Sequence, residues 1–359
     1  MIRKNYIDNL RWICVLILFP YHVFMIYNSF GENFYVKGEN IKATTTFLVM
    51  TWPWFMPLLF AIAGISTAYA LQKRGIGEYI RERISKLFIP LAAGILLVIP
   101  TQTYFAERFH NGYSGNYFSQ YILFFTRPTD LTGYTGGFTP GHLWFILYLF
   151  LISLAAIPFI ILCGRIKRKP NSGGIPMPLL PVFFILPGFG ALVLDIAGKS
   201  LGEYFVFFML GYFLLSKENV QQKLERYRFL LFGTGLCCVI FFIPVWYDVW
   251  SFNILFLDIL SRFYAWIMML ALIGLGRKYL AFSSRFTGYM THSSFAVYMF
   301  HQTWIIVSAY YVFLFTNKAP VQMALIFLFS ITATFITYEI CRRIKLTRFL
   351  FAIKNYSNL

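Results

Sequence analysis

Residues 11–22 read RWICVLILFPYH, an apolar run opened by Arg11 and closed by His22. In a helix, eleven residues advance about 16 Å and turn about 1100°, three turns plus roughly 20°, so both side chains share one face at different depths. An ionisable side chain inside a bilayer costs at least a few kcal/mol and persists where it lines a protein interior or a watery cavity. The pair therefore predicts a polar path running from the membrane edge, at Arg11, toward its middle, at His22.

The rest of the chain fits that start. Of 359 residues, 58% are hydrophobic and 13% charged, which excludes an ordinary soluble domain and indicates a multi-span membrane protein. The net charge of +17 is dispersed in short clusters between apolar runs, without the single basic face that nucleic acid requires, so no nucleic-acid partner is expected. No small-residue cleavage pattern follows the first run, which is taken as a mature helix rather than a signal peptide. Cys14, Cys163, Cys237, Cys238 and Cys341 lie in or beside apolar runs without disulfide-framework or zinc spacing, so they are expected to be small buried hydrophobes, and no metal is expected.

Near-spanning apolar runs fall at about 10–29, 47–70, 87–104, 142–163, 179–197, 202–216, 229–247, 253–275, 293–315 and 319–341. The expectation is an all-α polytopic membrane protein of about ten transmembrane helices, a single domain over residues 1–359, with one long extracytoplasmic loop at about 105–141. Pro53, Pro57, Pro100, Pro187 and Pro244 are expected to kink helices. Alternate connections carry 24 of the 31 basic residues, among them Arg3, Lys4, Arg11, Arg83, Lys86, Arg165, Lys167, Arg168 and Lys169, and the opposite set carries six. By the positive-inside rule both termini are cytoplasmic.

That orientation assigns depths to the polar residues. Arg11, Arg83 and Lys86 fall on the cytoplasmic side as a candidate anion pocket, or as topology signals alone, with Asp8 one turn from Arg11. His22 and His301 fall near mid-membrane, and Tyr298 shares the face of His301. A buried histidine can serve as a general base or as a structural hydrogen-bonding group. His142 and Trp144, in GHLWF, open the fourth run at the outer surface, behind a loop rich in Gly and Thr that contains Tyr113, Tyr117, Tyr121 and Tyr134. Such a loop suits sugar stacking, although aromatic residues also anchor interfaces. Asp258 and Arg262, four apart, are expected to form an intramembrane ion pair, Glu339 to reach the cytoplasmic surface, and His110 and His292 to be solvated at helix edges.

These residues resemble the acyltransferase-3 membrane acyltransferases. The resemblance rests on YIDNLR leading into Arg11, the spacing from Arg11 to His22, the basic pair in RISKLFIP, HLWF at the fourth run and YMFH near residue 300. FAIAGISTAYAL, RERISKLFIPLAAGI and GHLWFILYLF look most like the branch that adds succinyl groups to periplasmic glucans. The family's usual Arg-x-x-Arg stands here as Arg83-Ile-Ser-Lys86, and its Ser-Gly as Ala63-Gly64; lysine keeps the charge but loses bidentate recognition.

The resemblance implies transfer of an acetyl or succinyl group from cytoplasmic acyl-CoA to a hydroxyl of an extracytoplasmic carbohydrate, in a cell inner or plasma membrane. It implies His22, Tyr298 and His301 at the catalytic centre, Arg11, Arg83 and Lys86 on the CoA phosphates, and His142 and Trp144 toward the acceptor. The competing expectation is a secondary transporter or flippase of a polar or anionic substrate, which also uses midplane polar residues and Pro-broken helices; the absence of an internal repeat favours the enzyme.

The charge asymmetry makes one prediction. Cysteines placed singly at exposed positions in residues 110–135 should react with an impermeant thiol reagent added outside intact cells. Labelling only after permeabilisation would invert every depth assigned above.

Overall fold

The computed structural model describes residues 4–31, 33–129, 131–165, 175–196 and 198–354. Arg3, Lys167, Arg168 and Lys169, four of the charges used to orient the chain, lie outside the described residues, as does the side chain of Arg165.

The order is α1 (Asn5–Met25), α2 (Lys42–Leu71), α3 (Ile76–Arg83), a π-helical turn (Ile84–Phe88), α4 (Ile89–Leu97), α5 (Ile99–His110), α6 (Tyr117–Thr126), a 3-10 turn (Gly141–Leu143) and α7 (Trp144–Arg165). Then come 3-10 turns at Met177–Leu179 and Pro181–Phe184, α8 (Ile185–Gly190), α9 (Leu201–Leu210), a second π turn (Gly211–Leu215) and α10 (Glu218–Arg226). The chain continues through α11 (Arg228–Trp246), α12 (Ile254–Tyr279), α13 (Arg285–Phe315), α14 (Ala319–Cys341) and α15 (Lys345–Leu350). Among the described residues strands amount to the antiparallel pair β1 (Asp195–Ile196) and β2 (Lys199–Ser200), and the protein is an all-α polytopic membrane protein.

Among the described residues, eight helical stretches are long and apolar enough to cross a membrane, and two shorter apolar ones span Met177–Gly190 and Leu201–Leu215. Ten runs were expected. The two short stretches are the fifth and sixth of them. The fifth is broken because Pro176, Pro178, Pro181 and Pro187 remove backbone donors every few residues, which leaves 3-10 turns in place of a continuous helix. The third is longer than expected. It runs from Ile76 to His110, and Pro100 is accommodated as the second residue of α5, where a helix has no use for that N–H.

The chain forms two compact units, each built from discontinuous segments. The first comprises Met1–Cys14, Val49–Arg83 and Tyr148–Thr287. Its buried polar side chains close on backbone carbonyls: Asn9 donates to Leu280 (2.8 Å), Tyr264 to Met50 (2.6 Å) and Trp266 to Leu180 (2.8 Å). In an apolar surrounding an unmet donor costs about 1–3 kcal/mol, so these bonds fix where the helices meet. On its polar edge Arg277 and Lys4 both donate to Glu218, and those bonds, Arg277's first, hold the Glu218 carboxyl down to about 2.

The second unit comprises Val15–Leu48, Ile84–Leu147 and Gly288–Leu359. Here Tyr27 donates to Gln322 (3.0 Å), Trp304 to Thr337 (2.9 Å) and Tyr289 to Glu339 (2.9 Å). Glu339 also pairs with Arg342 at 2.7 Å, so it is held by both a hydroxyl and a cation.

Within the first unit α2 crosses α9 and the π turn after it at backbone contact. A Cβ on Gly64 would overlap the carbonyl of Phe208, and one on Gly211 would overlap the carbonyl of Ala61. Small residues at membrane helix crossings allow this approach, and overpacking such a contact costs about 1–3 kcal/mol. Gly64→Ala should therefore lower the thermal unfolding temperature in detergent by several degrees, whereas Gly75→Ala, with nothing within 4 Å of the added Cβ, should leave it unchanged. Equal behaviour of the two variants would mean that the crossing is not tight.

Candidate active site

Four of the residues singled out from the sequence meet in the second unit. The His22 and His301 rings lie 5.2 Å apart between centroids, and His142 and His301 lie 5.1 Å apart, nearly perpendicular. Tyr298 stands 5.6 Å from His142 and 5.7 Å from His301. His301 is fully buried, and Tyr298 and His142 are nearly so. His142, at the opening of the fourth run, is buried within the protein, on the 3-10 turn of Gly141–Leu143 that enters α7 at Trp144. Gly141 makes this possible: its φ of +51° is the left-handed conformation that glycine tolerates, and a Cβ there would lie 2.8 Å from Ile99. Trp144, at the start of α7, is half-buried.

Hydrogen bonds assign the protons on two of the three rings. Nε2 of His142 lies 3.1 Å from the Met299 carbonyl, which can only accept, so in the neutral ring Nε2 carries the hydrogen. Its Nδ1 therefore accepts from the Gln102 amide, 3.2 Å away. Both nitrogens of His142 are spent on protein. Nδ1 of His301 faces the Tyr298 carbonyl at 2.7 Å and must donate to it, which leaves a bare lone pair on Nε2. That Nε2 is buried and has no hydrogen-bond partner. His22 Nδ1 is likewise buried and unpartnered.

The Tyr298 hydroxyl donates to the backbone carbonyl of His142, which ties α13 to the turn before α7. The Tyr298 hydroxyl is therefore engaged within the protein, and neutral His301 presents an acceptor at Nε2.

Several residues at this site escaped the sequence analysis. Gln102, on α5, donates to His142 and to Thr303 Oγ1 (2.7 Å) and accepts from Gln302 (3.3 Å); Thr303 in turn donates to the Val98 carbonyl (3.4 Å). The Oε1 of Gln302 is buried without a partner. A polar residue within an apolar run was the available signal, in IPTQTYF for Gln102 and directly after His301 for Gln302. Phe34 stacks on His22, with ring centroids 5.9 Å apart and planes 15° apart, and its carbonyl accepts from His110 Nε2 at 2.6 Å. His110 is thus engaged with protein rather than solvated, and nothing in the sequence marked Phe34.

The segment after α5 is closely tied down. Buried Glu107 binds Arg127 (2.7 Å) and Asn111 (2.7 Å), and Gln120 donates to the Gly136 carbonyl (3.0 Å). Four of its tyrosines keep aromatic company: Tyr113 and Tyr117 lie within 6.3 Å of Tyr104, Tyr121 lies 6.3 Å from Tyr117, and Tyr134 packs at 5.1 Å on Tyr35. Burial pushes the Tyr35 hydroxyl well above its ordinary range, with Tyr134 adding to the effect.

The three basic residues have separate settings. Arg11 donates to Asp8 (3.0 Å) and to Ser66 Oγ (2.9 Å), as the one-turn spacing from Asp8 implied. Arg83, the last residue of α3, stacks over Tyr79 at 4.9 Å and keeps a buried Nε without a partner. Lys86 is exposed on the π turn that follows. Arg262 forms the expected pair with Asp258, bidentate at 2.9 Å, and adds Glu203 at 2.7 Å. Among the described residues, no group of three or more His, Cys, Asp or Glu is placed to hold a metal ion.

Residues 4–339 match the family model described as an acyltransferase domain. The glucans biosynthesis protein C of Salmonella heidelberg (strain SL476) is 22% identical, with 98% of this chain and 95% of that protein covered. The protein of the same name from Salmonella agona (strain SL483) is 22% identical over the same shares. No solved structure matches. With the family match covering nearly the whole helical chain, the protein belongs to the acyltransferase-3 family of membrane acyltransferases.

Proposed function

We propose that this protein is an O-acyltransferase of a cell inner or plasma membrane that moves an acetyl or succinyl group from cytoplasmic acyl-CoA to a hydroxyl of an extracytoplasmic carbohydrate, a glucan being the favoured acceptor. The observation that carries the proposal is the convergence of His22 and His301, each with a buried ring nitrogen left without a partner, in a chain of an acyltransferase family. A buried polar group left open costs about 1–3 kcal/mol, and such groups concentrate where a substrate supplies the missing partner. The glucan acceptor is supported by the names of the relatives that align over nearly their full length.

A hydroxyl is a weak nucleophile at neutral pH, whereas a thioester needs little activation, so the reaction chiefly requires a proton acceptor. His22 is assigned that role. It takes the hydroxyl proton as the oxygen attacks the acyl carbon, the C–S bond breaks, and the thiolate leaves with the proton returned. Among the described residues, Nδ1 of His22 is buried without a hydrogen-bond partner and is therefore open to a substrate. On the donor, Arg11, Arg83 and Lys86 are assigned to the CoA phosphates, whose charge suits guanidinium and ammonium groups. Support comes from Arg83, whose Nε has no protein partner. His142, which uses both of its nitrogens within the protein, is assigned to shaping the site beside Trp144 on the acceptor side. Both termini and the CoA-binding end are assigned to the cytoplasm from the distribution of Lys and Arg.

Purified protein in lipid should release free thiol from acetyl-CoA or succinyl-CoA only when a glucan acceptor is present, and mass spectrometry of the glucan should show an added 42 or 100 Da, about the masses that acetyl and succinyl esters contribute. No thiol release with either donor, together with accumulation of an unmodified substrate across vesicles, would favour a transporter. His22→Gln, which keeps hydrogen bonding but not basicity, should lower kcat about 10²- to 10⁴-fold with CoA binding retained. Near-normal turnover in that variant would make His22 structural. Arg83→Ala should weaken CoA binding several-fold by calorimetry, and unchanged affinity in the folded variant would leave Arg83 as a topology signal only.

A further inference from the structure

A general base usually has its own partner, a group that orients the ring and steadies its positive charge once protonated. None is seen for His22 among the described residues: its buried Nδ1 has no hydrogen-bond partner, and its ring is bounded by Phe34, Tyr21 and His301. His301 has what His22 lacks. Its Nδ1 donates at 2.7 Å to the Tyr298 carbonyl, an acceptor that also stabilises an imidazolium, and its buried Nε2 holds a lone pair with nothing bound to it. The 5.2 Å between the two ring centroids is close to the span of two imidazoles joined edge to edge by one N–H···N bond of about 2.9 Å. The rings are tilted 40° to one another, and among the described residues no hydrogen bond at Nδ1 restrains the His22 ring from turning.

Building on the acyltransfer reading above, we propose that His301 is the proton-holding partner of His22, and that the hydroxyl proton is relayed through His22 to Nε2 of His301. As the hydroxyl oxygen forms its bond to the acyl carbon, its proton passes to the lone-pair nitrogen of His22. The hydrogen on the other nitrogen of His22 passes to Nε2 of His301. His22 is then neutral again, and His301 is an imidazolium held by the Tyr298 carbonyl. When the C–S bond breaks, the proton returns by the same route to the thiolate sulfur, and both rings regain their starting protons. His301 thus serves as a proton acceptor rather than as an oxyanion donor. Gln102 and His142 are positioning residues in this scheme: the Gln102 amide fixes the tautomer of His142, whose ring packs nearly perpendicular to His301 at 5.1 Å.

The test uses His301→Asn, whose side-chain amide can replace Nδ1–H as donor to the Tyr298 carbonyl but has no basic nitrogen, with His301→Gln as a second variant that places its amide near the Nε2 position. Full-length protein in lipid is assayed for acyl transfer to glucan from whichever of acetyl-CoA and succinyl-CoA the wild type uses. Either His301 variant should lower kcat about 10²- to 10⁴-fold with KM for the donor within a few-fold, and the double variant with His22→Gln should be no slower than the slower single one, because both residues serve one proton path. A wild type that transfers acyl groups, with His22→Gln inactive and both His301 variants near normal, overturns the relay and leaves the acyltransfer reading standing. Losses that multiply in the double variant also overturn it, since independent roles are then required. A wild type inactive with both donors overturns the acyltransfer reading and the relay with it.

Discussion

A polar atom placed among apolar helices must find a partner or remain costly, and that constraint organises this protein at every scale. Where it is met, it builds the fold: Asn9, Tyr264 and Trp266 each send a side-chain donor to a distant backbone carbonyl, and in the second unit Tyr27, Trp304 and Tyr289 donate to the side chains of Gln322, Thr337 and Glu339. These bonds specify contacts that apolar packing alone leaves degenerate, because in a lipid environment one greasy helix face suits many neighbours.

Where the constraint is left unmet, chemistry becomes available. The three histidines share a cluster but differ in what remains open. Among the described residues His142 is closed at both nitrogens, His301 is closed at Nδ1 and open at Nε2, and His22 is open at Nδ1. The gradation arises from neighbouring backbone: carbonyls at Met299 and Tyr298 sit against one nitrogen each, and a carbonyl can only accept. Protonation is thereby assigned by the main chain of α13, whose helical path cannot shift locally without breaking its own bonds.

The basic residues follow another logic. Arg11 is held by a carboxylate and a hydroxyl, Arg83 by an aromatic face, and Lys86 extends from a π turn, so three like charges occupy three different environments. A guanidinium already paired with a carboxylate can still bind a phosphate through its remaining N–H groups, since it carries five donors in a fixed fork. In the long segment after α5, the pair of buried Glu107 with Arg127 ties the end of α6 back to α5, and the tyrosines pack on one another rather than projecting singly.

The sequence by itself determined the class of the molecule and most of its spans, because hydrophobic length and charge asymmetry are local quantities: the ends of α7, α11, α12 and α14 fall within about four residues of the runs read for them. It also carried the resemblance to the family and marked Arg11, His22, Tyr298 and His301 as candidate site residues, since an ionisable residue is conspicuous in an apolar run. It overestimated the fifth span, where closely spaced prolines outweigh hydropathy. Only the tertiary structure decided that His142 turns inward, that Gln102 and Gln302 join the cluster, and that Phe34 lies against His22. Those outcomes depend on residues far apart in the chain, on the left-handed turn at Gly141 and on which backbone carbonyl meets which ring nitrogen, and no periodicity or composition encodes a contact between a side chain and a distant main-chain oxygen.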